Sequence, residues 1–390
     1  MKSKFQFYKF ILLLVFLQSI YAWFLWGTTI YILLISALTT IILFNSSKSL
    51  FTLNKKNLLP IILIFIVQLY VIIDTDINNF IGAIFRIIIL TGVLLLKNDL
   101  KIDLFLFFNK SIAFILLISI FFWILYLIGI PLPYISLDGE YGRYDNYFTF
   151  LFLIRSELSF LVFPRFCSIF LETGYLGMIC AYFIIANNFN LKRNYTWIFL
   201  IATILSFSLA AYVVLLIALI LILIFNTQKS LLKLFLVGTI LFSLYSYFLI
   251  LNDGDNVFNT YIINRLQVND GDISGNNRFS SDLSSYFDAF LGSSKKYLGI
   301  GPNHFRNISW DGGNAGYKVY LIVYGFVGAF LIFLFHFVIS INYNSKLTWI
   351  LLLSYILIFI QASYPLLECQ LFIFITGAAF MKKQFINNVL

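Results

Sequence analysis

The chain has 390 residues, of which 61% are hydrophobic and only 11% charged, with a net charge of +9. A soluble fold of this size leaves roughly a quarter of its extended surface in water, more than these polar residues can cover. Composition therefore excludes a soluble globular domain and points to an integral membrane protein.

The opening residues, MKSKFQFYKF, place positive charge ahead of an apolar run, as a signal peptide does. No small-x-small cleavage pattern follows, so the expectation is a retained first helix. Apolar runs of about 17–22 residues match a hydrocarbon layer of ~30 Å at 1.5 Å rise per residue. They predict an all-α polytopic membrane protein of about twelve spans: 8–25, 28–44, 58–73, 80–96, 111–130, 166–187, 195–209, 211–225, 233–251, 318–340, 347–362 and 369–381. In this division residues 1–251 carry nine spans and an outer loop at 131–164. Residues 252–317 form a second, larger outer loop, and 318–390 carry the last three spans and the C-terminus. The cysteines, Cys167, Cys180 and Cys369, have no metal-ligand spacing and read as small apolar side chains. No zinc, haem or iron–sulfur pattern is present, so no metal or cofactor is expected.

Lysine and arginine placement sets the expected sidedness. With the N-terminus inside, the inner segments hold sixteen of the 26 basic residues and only two acids, Asp99 and Asp103. Fifteen of those sixteen are Lys, whereas six of the nine outer bases are Arg: Arg143, Arg155, Arg165, Arg265, Arg278 and Arg306. Orientation accounts for the lysines but not for the arginine bias. Outward arginines suit planar, bidentate gripping of an oxyanion, which Lys does less well.

Extracytoplasmic chemistry has to be built from the two long loops and the helix ends beneath them. The first loop carries PLPYISLDGEYGRYDNY, whose Tyr134, Tyr141 and Tyr144 are candidate sugar contacts. PRFCSIFLETGYLG (164–177) follows, with Pro164 suited to a first helical turn. Arg165 and Glu172 are seven residues apart, which on a helix puts them on one face. Glu172 is expected inside the apolar span, where an ionisable group suggests a functional site. The alternative is an internal ion pair, for which Arg86 in IGAIFRIIIL is the natural partner.

In the second loop, Phe279, Leu283, Phe287 and Phe290, with Tyr286 beside them, predict an amphipathic helix over 278–291 that lies on the membrane surface or caps the bundle. Asn276 or Asn277 would cap it. Arg278 would then sit in the first turn, where a cation beside free amides stabilises poorly but receives anions well. An Arg278–Asp282 pair is the competing reading. GIGPNHF (299–305) is turn-rich, and its glycines allow close backbone approach. His304 is the one histidine placed outside, and His336 lies within a span.

Taken in order, Arg165 before SIFLETG, the N-x-R-F-S run at Asn276–Ser280, GIGPNHF and then GGNAGYKVYLIVYGFVGAF (312–330) resemble the O-antigen polymerase (Wzy) and O-antigen ligase superfamily of bacterial envelope polysaccharide enzymes. The motif resemblance covers about 160–335. It implies a GT-C-type glycosyltransferase bundle acting on the outer face of the bacterial cytoplasmic membrane, with both termini cytoplasmic and no cofactor. The implied reaction is transfer of a growing glycan from undecaprenyl diphosphate to the non-reducing end of the next lipid-linked repeat unit. It is inverting and metal-independent, and it serves O-antigen, lipopolysaccharide, capsule or exopolysaccharide synthesis.

Carried onto this chain, the resemblance makes Arg165 and Arg278 the groups that grip the diphosphate and Glu172 an acceptor base or arginine-orienting acid. Arg265, Arg306, His304, Asn314 and Tyr144 are further substrate-binding candidates. Expected partners are the lipid-linked oligosaccharide donor and acceptor, the bilayer and a chain-length regulator, with no nucleic acid. Ligases of the superfamily carry a His-Asn pair before the next span. This chain has Gly313-Asn314 there, which favours the polymerase. The alternatives are a ligase, or a flippase or transporter of lipid-linked oligosaccharides, although no matching halves are visible in the sequence.

Overall fold

In hydrocarbon every backbone amide and carbonyl must find a partner without water, and a helix meets that demand within its own segment. The long apolar runs fold accordingly. The computed structural model describes residues 2–73, 75, 77–137, 146–155, 164–226, 238–239, 242–243, 245–266, 268–269, 272–273, 280–310, 316–361 and 368–389. Its helices are α1 (Lys2–Ser19), α2 (Thr29–Ser46), α3 (Lys55–Val71), α4 (Ile77–Leu95), α5 (Asn98–Leu127), α6 (Thr173–Ala186), α7 (Asn194–Leu205) and α8 (Leu209–Asn226). Beyond the second long connection come α9 (Ser281–Gly292), α10 (Pro302–Arg306), α11 (Tyr317–Tyr343), α12 (Lys346–Gln361) and α13 (Glu368–Val389). Residues 245–250 are also helical; the rest of the span expected at 233–251 lies largely outside the described residues.

Among the described residues, α2, α4, α5 and α11 are both long and apolar enough to cross a membrane, and α6, α7, α8 and α12 are apolar but shorter. The centre of the bundle is α6 and α13, in which every side chain from Leu176 to Asn187 and from Glu368 to Met381 is buried. A helix that is apolar all round belongs in such a position. Large apolar side chains on the outer helices, among them Ile42, Leu58, Phe114, Phe121 and Phe330, are exposed, as a lipid-facing surface requires. The three cysteines are buried and free.

Helix edges depart from expectation where polar residues join the helix. α5 begins at Asn98, thirteen residues before the expected 111, because a polar stretch with buried Lys101 and Asn109 continues the helix. α1 lies between Lys2 and Ser19 instead of 8–25. α6 begins at Thr173, not 166. Residues 164–172 are not helical, so Pro164 does not open a helix, and Arg165 and Glu172 do not share a helical face. Two long-range bonds tie this segment to other elements, and a turn at Ser168 (φ +52°), where the Phe170 amide donates to Cys167 O (3.0 Å), keeps it out of the helix. The Phe166 amide donates to Leu205 O (3.1 Å) and the Leu153 amide to Ser168 O (2.9 Å).

The first long loop contains a small antiparallel sheet that the all-α reading did not include. Its strands are β1 (Ile135–Leu137), β2 (Asn146–Thr149) and β3 (Phe152–Arg155), with Ile135 opposite Phe148 and Asn146 opposite Arg155. A second pair, β4 (Val268–Asn269) and β5 (Asp272–Ile273), lies in the other loop.

The amphipathic helix of the second loop is present as α9, and its expected apolar face is buried. Leu283, Phe287 and Phe290 pack on Val319, Ile322 and Val323 of α11, so α9 caps the bundle. Its N-cap is Ser280, whose Oγ accepts from the Leu283 amide at 3.1 Å, not Asn276 or Asn277. Arg278 therefore precedes the helix. It lies outside the described residues together with Asn276, Asn277 and Phe279, and so does any Arg278–Asp282 pair.

The glycine-rich segment after α9 docks on a break in α11. Gly325, at φ +64°, interrupts that helix about 12 Å below its start. The backbone groups left over at the break are paired across the gap. Ile300 N donates to Ile322 O (2.9 Å), Gly301 N to Val323 O (3.0 Å), and Val327 N to Tyr297 O (3.0 Å). The Tyr70 hydroxyl lies 2.8 Å from Leu298 O and 3.0 Å from Tyr324 O, its proton shared between them. Gly299 and Gly325 meet backbone to backbone at positive φ, and a Cβ on either would overlap the facing chain. Gly325→Ala is expected to lose about 2 kcal/mol or more, from left-handed strain plus the clash. Gly292→Ala, at a helical position with open space around it, is expected to be neutral or slightly stabilising. Thermal melts of the purified proteins in detergent distinguish the two.

Candidate functional site

The end of the bundle beneath the two long loops carries two groupings of arginine. In the first, Arg165 projects from the non-helical segment 164–172. Its Nε donates to Ser206 O (3.0 Å) and its Nη2 to Phe207 O (2.9 Å), carbonyls left over where α7 stops. The guanidinium lies over the Tyr261 ring, 5.7 Å from its centroid. Burial, and then the neighbouring Arg265 charge, lower the Arg165 pKa to about 10. Among the described residues no carboxylate pairs with Arg165 or Arg265. Arg165, fixed by two neutral carbonyls within the field of the Arg265 charge and facing no paired carboxylate among the described residues, is an arrangement that an oxyanion would complete.

The second grouping centres on an ion pair between Arg86, halfway along α4, and Glu368, the first residue of α13. The Glu368 side chain is only 4% exposed. Arg86 also acts electrostatically on the Tyr324 phenol, just before the break in α11, and so does Arg306 from α10. Beside Glu368, the Cys369 amide donates to Ser19 Oγ (3.0 Å), and Cys369 Sγ lies 3.5 Å from the Tyr175 hydroxyl. A charge this deep is tolerable because it is paired and hydrogen-bonded.

Arg165 thus lies within the field of Arg265, and Tyr324 within that of Arg306 and Arg86. His304 is exposed on the same short helix as Arg306. Glu172 is exposed at the N-cap of α6 and makes no side-chain cap bond there, so it is not a buried acid within a span. It is also not the partner of Arg86, a role that falls to Glu368. Sequence reasoning passed over Glu368, although it is the only acid after Asp311 and stands at the head of the last apolar run. Arg278, Asn314, Arg143, Tyr141 and Tyr144 lie outside the described residues, and of Arg155 only the backbone is described. Tyr134 is exposed.

These features define a helical bundle of membrane type with a polar, arginine-bearing end roofed by two structured loops. No family model, curated protein or solved structure matches the chain.

The Arg86–Glu368 pair generates a direct test. Arg86→Met or Glu368→Gln alone is expected to cost about 3–5 kcal/mol, because each leaves or unbalances a buried charge. The double substitution is expected to cost clearly less than the sum. A double-mutant cycle of thermal or denaturant melts measures the coupling; simple additivity would mean the two side chains act independently.

Proposed function

We propose that this chain is a polysaccharide polymerase of the bacterial cytoplasmic membrane. In this reading about twelve spans form a GT-C-type bundle whose arginine-bearing end faces the exterior. The substrate is a glycan carried on undecaprenyl diphosphate, and the product is that glycan lengthened by one repeat unit. A hydroxyl of the acceptor sugar attacks the anomeric carbon of the donor, the bond to the diphosphate oxygen breaks with inversion, and undecaprenyl diphosphate leaves. The acceptor proton passes to a base or to water, and exposed Glu172 is the candidate for that role.

The observation that carries the reading is that Arg165 is fixed by the carbonyls of Ser206 and Phe207, feels the Arg265 charge, and pairs with no carboxylate among the described residues. Negative charge accumulates on the leaving diphosphate, and preoriented guanidinium groups stabilise the transition state more than the ground state. The carbonyls of Ser206 and Phe207 fix Arg165 in advance, so little reorganisation is needed. Arg278 and Arg306 would add to the same field. Tyr261, stacked near Arg165, offers a ring face to a sugar or an isoprenoid.

One observation favours a second reading. A broken helix such as α11 is a device by which membrane carriers build substrate sites. A carrier of lipid-linked oligosaccharide would use the same polar end without making a bond.

The experiment is a deletion strain complemented with variants and scored on its surface glycan ladder. Polymerase loss leaves acceptors capped with a single repeat unit, whereas carrier loss leaves none. Arg265→Ala and Arg278→Ala are expected to give single-unit caps at normal protein abundance, through a loss of about 10²–10³ in rate. Arg165→Lys is expected to fail as well, since it cannot reach both carbonyls and the substrate. Ladders of ordinary length from all three would rule out the assigned roles.

A further inference from the structure

The opposite, lysine-rich end of the bundle holds a cavity of about 320 Å³ that the polymerase reading does not use. It lies roughly 45 Å from the sheet-bearing loop, measured along the 30 residues of α5. Its frame is the α2–α3 connection laced to the α4–α5 connection: Thr52 N donates to Leu95 O (2.8 Å) and Lys97 N to Leu50 O (3.1 Å). The C-terminal turn of α11 closes one side, where Asn342 Nδ2 donates to Lys56 O at 2.7 Å.

Four lysines line this cavity, Lys56, Lys97, Lys101 and Lys382, and no acid does. The nearest acids are engaged elsewhere, Asp103 with Lys9 at 3.0 Å and Asp99 with Lys383 at 3.9 Å. Lys56 and Lys97 are exposed at the rim, and Lys382 is half-buried. Lys101 differs from them in being only 2% exposed. Its ammonium has three donors, and its one hydrogen bond among the described residues is to Tyr343 Oη at 3.3 Å. Sidedness explains lysines that snorkel into water from a helix end. It does not explain a lysine buried against a cavity wall with no counter-ion, which is an expensive arrangement unless an anion arrives. The Tyr343 hydroxyl donates to Asn98 Oδ1 at 3.4 Å, which turns the Asn98 amide group into the neutral donor of this wall, and α5 starts there without a side-chain cap, with Asp99 in its first turn.

We propose that this cavity binds a phosphate ester carrying a small polar group such as glycerol, with Lys101 as the buried counter-charge and Lys56, Lys97 and Lys382 as the rim. The volume is at the lower end of small-ligand sites. It admits a phosphate and a few attached atoms but not an acyl chain, which would have to remain outside in the bilayer. Phosphate chemistry fits better than carboxylate because lysines from separate segments line the cavity, and a tetrahedral anion can meet donors from several directions. The source is either the headgroup of an anionic phospholipid at the bilayer surface or a soluble phosphate ester. This inference is independent of the polymerase reading.

The test uses the full-length protein and two probes, phosphatidylglycerol in nanodiscs otherwise made of phosphatidylcholine, and free glycerol 3-phosphate. Retention is read by native mass spectrometry and stabilisation by the shift in Tm. The rim variant Lys56→Gln/Lys97→Gln/Lys382→Gln is compared with a control of equal charge at exposed lysines that do not line the cavity, Lys48→Gln/Lys55→Gln/Lys346→Gln. The wild type and the control are expected to retain at least one probe, and the rim variant to bind it about tenfold or more weakly, the equivalent of losing one charge-assisted hydrogen bond. Lys101→Met is expected to do the same, and the rim variant keeps the test intact if Lys101→Met does not fold. A response to the lipid alone identifies a headgroup site, and a response to glycerol 3-phosphate alone identifies a soluble ligand. Equal binding by the rim variant and the control, or no binding of either probe by the wild type, overturns the proposal.

Discussion

The break in α11 at Gly325 is the constraint on which the outer architecture depends. A helix interrupted inside a bundle exposes carbonyls and amides with no water to satisfy them, each at a cost of several kcal/mol in hydrocarbon. Here the loop Tyr297–Gly301 supplies the missing partners by backbone hydrogen bonds, and Tyr70 closes the remaining carbonyl from α3. Only a chain with glycine at both contact points can approach this closely. The arrangement fixes the position of a loop that would otherwise be free to move, and with it α9 on one side and α10 on the other. Tyr324 comes within the field of Arg306 because the splice docks the segment leading into α10 on the break beside it.

Charge is divided between the two ends in kind as well as amount. At one end arginines are held by carbonyls and by Glu368. At the other, lysines are exposed or gathered round a cavity. Guanidinium suits fixed, planar, partly buried contacts, and ammonium suits solvated ones. Two lysines at the lysine-bearing end are buried: Lys9, paired with Asp103, and Lys101, whose hydrogen bond among the described residues is to a neutral tyrosine. The central helices α6 and α13 link the two ends, since Glu368 opens α13 at one end and Lys382 lies on it toward the other.

Much of this was legible in the sequence. The edges of α2, α3, α4, α7, α8, α11 and α12 follow the apolar runs within a few residues, and the buried face of α9 was visible in the spacing of Leu283, Phe287 and Phe290. What could not be read depended on non-local bonds. Residues 164–172 look helical by composition, but Leu205 and Leu153 capture their backbone from outside the segment, so Glu172 emerges at a helix cap. The cap of α9 went to Ser280 because its hydroxyl, not an asparagine upstream, meets the third amide. The strands of the first loop carry the aromatic and β-branched residues that favour extended pairing, a signal masked by the surrounding apolar helices. The partner of Arg86 was hidden for a simpler reason, because 282 residues separate it from Glu368. The capture of Arg165 by the carbonyls of Ser206 and Phe207 likewise required the folded chain to be seen.

The central claim is that the arginine-bearing end makes a glycosidic bond while it holds a diphosphate. The most direct measurement is reconstitution of the purified protein in liposomes with a defined oligosaccharide on undecaprenyl diphosphate, followed by mass spectrometry of the glycan and the released lipid. The account predicts chains of two or more repeat units, with one undecaprenyl diphosphate freed for each bond formed. Lipid-linked oligosaccharide that crosses the bilayer with its length unchanged, and with no diphosphate released, would contradict it.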